Sequence, residues 1–130
     1  MTKSQLSLVQ TVAMFAFVSR RMVKSKNLLT QADKAIGDGD HGVGMARGFE
    51  AARIKLEASK FKDFPDLFTT IGMTLMGSVG GAAGVIFSSF FQGAAAGITG
   101  KLVFDSEGLS LMLDFGLQSV QARGKARPGD

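Results

Sequence analysis

Asp33, Asp38 and Asp40 place three carboxylates within eight residues of an otherwise basic chain, in the segment Asp33-Lys34-Ala35-Ile36-Gly37-Asp38-Gly39-Asp40-His41-Gly42. Like charges this close repel one another unless something positive sits among them. The interleaved glycines permit sharp backbone turns, so several carboxylates can point at one spot. Oxygen ligands of this kind suit a hard divalent cation such as Mg2+, which keeps coordination positions for phosphate oxygens. An ordinary acidic surface turn has the same composition, because Asp-Gly and Gly-Asp pairs are common turn formers. A calcium-binding EF-hand loop is unlike it. The spacing D-x-x-x-x-D-x-D departs from that motif, and Arg47 falls where the calcium loop would still be supplying ligands.

A second candidate is the glycine-rich run Met76-Gly77-Ser78-Val79-Gly80-Gly81-Ala82-Ala83-Gly84. Such loops cradle phosphates because unhindered backbone N–H groups converge on oxygen. The run lacks the Lys-Ser/Thr ending of a Walker A motif and is not G-x-G-x-x-G after a strand. Close helix–helix contact through small residues is the alternative explanation for its glycines.

Helices must position both loops. Ser4 is placed to cap a first helix running to about Lys26, with Leu6, Val9, Ala13 and Phe17 in register and Leu8, Val12, Phe15 and Met22 widening the stripe. Asn27 begins a short connection, and residues 28–32 lead into the acidic loop as a helical turn. A second helix follows Gly42 to about Lys60 on Met45, Phe49, Ala52, Ile54 and Leu56. Its N-terminus, with free N–H groups and the positive end of the dipole, suits carboxylates and phosphate alike. Asp63 caps a third helix with Pro65 in its first turn, and a fourth runs from the glycine loop to Gly97 or Gly100. Asp105 or Ser106 caps a fifth, striped by Leu109, Met112, Leu113, Gly116, Leu117 and Val120. Strand-type alternation is not sustained anywhere, so the expected fold is all-α.

With 130 residues, 45% of them apolar and 20% charged, the chain suits one domain with a real core. It has no cysteine, which excludes disulfides and thiolate chemistry and is compatible with a reducing cytoplasm. A formal net charge of +4 tolerates an anionic ligand such as a nucleotide. Nucleic acid is not expected: the basic residues are scattered, and Trp and Tyr are absent. Nor is a membrane: Leu67 to Gly100 carries no formal charge, but eight glycines interrupt it.

Taken together, the order acidic loop, helix, helix, glycine loop, helix resembles the nucleotide-binding L subunit or domain of dihydroxyacetone kinases. The likeness covers nearly the whole chain. It rests on Asp33 with Ile36-Gly37-Asp38-Gly39-Asp40-His41-Gly42, on Met45-Ala46-Arg47-Gly48-Phe49, on Leu75-Met76 with Val79-Gly80-Gly81 and Gly84, and on the closing Arg127-Pro128-Gly129-Asp130. The resemblance implies an up-and-down antiparallel barrel of amphipathic helices with nucleotide bound at one end. It implies that Asp33, Asp38 and Asp40 hold two Mg2+ ions that bridge to ADP or ATP. His41 would hydrogen-bond a phosphate oxygen or, alternatively, a neighbouring carboxylate. Gly44, Gly80, Gly81, Ala82, Ala83 and Gly84 complete the implied nucleotide-binding positions.

The implied activity is phosphoryl transfer to a small ketose such as dihydroxyacetone, held on a partner K subunit or domain. In phosphotransferase-linked versions a third, M-type subunit recharges the ADP, and the implied location is cytoplasmic. Two departures stand out. The family commonly has Asn at the position of Gly44 and often serines at those of Ala82 and Ala83, so side-chain donors to phosphate are missing here. Family domains also continue beyond the final Gly-Asp. Residues 1–130 are therefore expected to form one domain with an incomplete barrel, whose exposed helix faces favour self-association. A fatty-acid-kinase-like nucleotide domain and a non-catalytic regulatory form are the competing expectations.

Overall fold

The computed structural model describes residues 4–130, which form six helices joined by short turns. The helices are α1 (Leu8–Lys24), α2 (Lys26–Lys34), α3 (His41–Ala58), α4 (Phe64–Ser78), α5 (Gly81–Gly97) and α6 (Ser106–Gly124). Ser7, not Ser4, caps α1: its hydroxyl accepts from the Gln10 amide while the Gln10 side chain accepts from the Ser7 amide, a reciprocal capping box. Ser4 instead precedes a two-residue strand, β1 (Gln5–Leu6), which pairs antiparallel with β2 (Phe104–Asp105) and brings the starts of α1 and α6 together. The expected helical turn at residues 28–32 is part of a full helix, α2, separated from α1 by Ser25 alone. Asp63 and Asp105 cap α4 and α6, accepting from the amides of Asp66 and Gly108 at 2.8 Å each.

Packing runs in series, with α1 and α2 on α3, then α3 on α4, α4 on α5 and α5 on α6. Gly48 lies beside Val79 and Leu75, Gly84 beside Leu75, and Gly93 beside Ser119, so successive helices from α3 to α6 run antiparallel. The protein is thus an all-α, up-and-down bundle. Its centre is aromatic: Phe68 sits edge-on to Phe15 at 5.4 Å between ring centroids and to Phe104 at 6.2 Å, with Phe91 at 6.4 Å. Leu67, Leu75, Met45 and Phe64 are buried around it. Burying each such side chain contributes about 1.5–3 kcal/mol, against the conformational entropy lost on folding.

Two helices bury a different face from the one expected. On α1, Phe15 and Ala16 turn inward with Thr11 and Ser19, whereas Val9 and Phe17 face outward. The buried hydroxyls of Thr11 and Ser19 donate to the carbonyls of Ser7 and Phe15, both at 2.8 Å, which removes the cost of burying them. On α6 the inward face is a narrow strip of Gly108, Met112 and Gly116, leaving Leu109, Leu113 and Leu117 exposed. No helix among the described residues is long and apolar enough to cross a membrane.

Candidate functional site

The three aspartates arrive from three local settings. Asp33 closes α2, Asp38 lies in the following loop, and Asp40 is the residue before the first turn of α3. One carboxylate oxygen from each lies within 4.8 Å of the others. The loop is held by its own backbone: the His41 amide donates to Asp33 Oδ2 at 3.2 Å and the Asp40 amide to Asp38 Oδ1 at 3.3 Å. A positive φ of 79° at Gly39 makes the turn between the last two acids.

Crowding splits the acidities. The Asp40 carboxyl is raised above the ordinary carboxylate range, first by its hydrogen bond with Asp38 and then by the negative charge of Asp38. The Asp38 carboxyl is lowered, chiefly by the hydrogen bond from Asp40. Carboxylate oxygens are hard donors, and three convergent ones fit Mg2+ or a similar ion.

Across a cleft of about 470 Å3 stands the glycine turn. The cleft is lined on one side by the three aspartates, His41, Val43, Gly44 and Arg47, and on the other by residues 79–83. Gly80 and Gly81 have φ of 80° and 59°, conformations that side chains resist, and they swing the chain from α4 into α5. No side chain caps α5, and its first intrahelical bond is donated by Gly84 to Gly80. The amides of Gly81, Ala82 and Ala83 precede that bond and so have no partner within the helix. At a helix start such donors favour an anion.

Of the residues named from the sequence, Asp33, Asp38, Asp40, His41, Gly44, Gly80, Gly81, Ala82 and Ala83 all line this cleft. Gly84 does not. It is buried one residue further along, where a methyl carbon added to it would meet the Leu75 carbonyl and Val79 Cβ at 3.6 Å. Three lining residues were missed: Val43, Arg47 and Val79. Two of them carried a signal, since Val43 and Arg47 recur three and seven residues after Asp40, on one helical face. Arg47 reaches across to α4, where its Nε donates to the Ser78 carbonyl at 2.6 Å and its Nη2 to the Val79 carbonyl at 2.8 Å.

Comparison with known proteins bears on this cleft. A family model described as the DAK2 domain matches residues 35–130. The chain is 44% identical over 102 residues to the PEP-dependent dihydroxyacetone kinase, ADP-binding subunit DhaL, of Escherichia coli, which covers 78% of this chain and 49% of that one. It is 36% identical over 110 residues to the ADP-binding subunit DhaL of PEP-dependent dihydroxyacetone kinase 1 from Listeria innocua, covering 85% and 55% respectively. The chain therefore spans about half the length of these relatives. The dihydroxyacetone kinase of C. freundii, in its native crystal form, superposes with a TM-score of 0.79 over all of this chain and 24% of that one. At 24% identity that likeness speaks for the fold alone.

Proposed function

The chain belongs to the DAK2 domain family, and from that premise we propose that it is the Mg2+-dependent nucleotide-binding component of a dihydroxyacetone-type kinase. One observation carries the reading: three convergent carboxylates and the open amides of a helix start face each other across one cleft. A polyphosphate needs both kinds of partner at once. Relatives named as ADP-binding subunits support ADP as the nucleotide held here, with ATP the alternative.

In this reading Asp33, Asp38 and Asp40 hold the magnesium, two ions being the expected number. When bound, the metal supplies charge neutralisation on the phosphate oxygens. The amides of Gly81, Ala82 and Ala83 orient the phosphates from the opposite wall. His41, at the first position of α3, hydrogen-bonds a phosphate oxygen. The chain itself contributes no nucleophile and no acid or base to the transfer; it binds and aligns. The acceptor, a small ketose, sits on a separate K-type subunit or domain. The names of the bacterial relatives favour recharging of ADP from a phosphoenolpyruvate-linked donor subunit of the M type.

Calorimetric titration tests the reading. The 130-residue chain should bind Mg-ADP, lose that binding in EDTA, and lose it again on Asp38→Ala substitution. A variant that titrates like the wild type would count decisively against it.

A further inference from the structure

The two walls of the cleft belong to different parts of the chain. The acidic loop leads into α3, and the glycine turn joins α4 to α5. Among the described residues no side-chain hydrogen bond runs from Asp33, Asp38 or Asp40 to residues 79–83. The turn is also intrinsically pliable, with two consecutive positive-φ glycines and no side chain capping the helix behind it. Something must hold it at a fixed distance from the carboxylates.

Arg47 is placed to do so. It rides on α3, seven residues after Asp40, so a rigid helix connects it to the acidic loop. Its guanidinium forks onto the carbonyls of Ser78 and Val79, at 2.6 and 2.8 Å, which end α4 immediately before Gly80. Carbonyls at a helix end lack intrahelical donors, and the dipole there favours a cation. A methyl carbon built on Gly80 would lie 3.4 Å from Nη2, so the guanidinium packs directly against the turn. Among the described residues no ion pair joins Arg47 to the three aspartates. The two hydrogen bonds it makes both go to the turn, and the carboxylates stay free for a cation.

We propose that Arg47 is the positioning residue that sets the gap between the metal-binding carboxylates and the phosphate-binding amides. This rests on the nucleotide-binding reading above. Lysine keeps the charge but replaces the rigid planar fork with a compact ammonium on a flexible stem, and glutamine loses the charge. Arg47→Lys and Arg47→Gln should each weaken Mg-ADP binding by about tenfold, a factor equivalent to one hydrogen bond to a charged group.

Three measurements on the full 130-residue chain decide the matter: Mg-ADP affinity by calorimetry, uptake of Mn2+ alone by paramagnetic relaxation, and backbone amide shifts of the ligand-free protein. Mn2+ uptake should stay within about twofold of wild type, a negligible free-energy change, while the amides of Gly80 to Ala83 shift. Mg-ADP affinity equal to wild type in Arg47→Lys would overturn the role, as would unmoved amides at Gly80 and Gly81. So would joint loss of Mn2+ and nucleotide, which marks general unfolding. A wild-type chain that takes up Mn2+ but no Mg-ADP overturns the nucleotide reading and this one with it. Wild-type binding matched by both variants overturns Arg47 alone.

Discussion

Gly48 offers a double-mutant test of how the glycine turn is held. It faces Val79 so closely that a methyl carbon there would fall 2.2 Å from Val79 Cγ2, with Val79 Cβ at 3.3 Å and Leu75 Cδ2 at 3.4 Å. Val79 is buried and β-branched, so it has few alternative rotamers to retreat into. Overpacking of this kind costs about 1–3 kcal/mol. Against it, replacing glycine inside a helix gains about 1 kcal/mol of backbone propensity. Gly48→Ala should therefore lower stability by up to about 2 kcal/mol. At about 4 °C per kcal/mol for a chain of 130 residues, that is a fall in Tm of up to about 8 °C.

In a Val79→Ala background the clashing methyl is gone. The remaining 3.3 Å contact is relieved by a shift of a few tenths of an ångström. Gly48→Ala should then become stabilising, by up to about 1 kcal/mol. Urea unfolding of the four proteins, compared at a shared m value, gives the coupling directly. If Gly48→Ala has the same effect in both backgrounds to within about 0.5 kcal/mol, the proposed contact is absent and the packing of α3 on α4 has been misread.

Two further outcomes follow from the acidic loop and the turn. Asp40 has a raised carboxyl, so the stability that goes with its protonated form is present at low pH and lost as pH rises through the acidic range; Asp40→Asn should therefore melt higher than wild type at pH 7 in EDTA, the advantage vanishing below the ordinary carboxylate value of 3.8. A lower Tm for the variant under those conditions would contradict the crowding of charge, and Mg2+ should stabilise the wild type far more than the variant. Ala82→Ser should tighten Mg-ADP by about tenfold, because an added hydroxyl at the cleft edge supplies a hydrogen bond to a charged group; calorimetry showing unchanged affinity would mean that the phosphates do not reach the start of α5.

Much of the site was legible because its determinants are local. Asp38, Gly39 and Asp40 act through a turn of a few residues, and Asp63 and Asp105 cap helices through amides three residues on. Arg47 escaped notice as a site residue because its partners are main-chain carbonyls 31 and 32 residues away, and no residue type announces a carbonyl. The buried face of α1 was misjudged because that helix is apolar on nearly every side. Periodicity then cannot choose between Phe15 and Phe17, and the inward turn of Thr11 and Ser19 depends on hydrogen bonds within their own helix. Ser7 was recoverable, since Ser7-Leu8-Val9-Gln10 has the spacing of a capping box.

The pairing of Gln5 and Leu6 with Asp105 and Phe104 has a consequence for biosynthesis. Among the described residues, Phe15 likewise finds its aromatic neighbours only in Phe68, Phe91 and Phe104. A ribosome adding about 5–20 residues per second needs on the order of 5–20 s to deliver those later segments. Until they arrive, α3 can cover only part of the nascent first helix and Phe15 lacks its ring partners, so chaperones and neighbouring polysomes compete for that oily flank before the fold is complete.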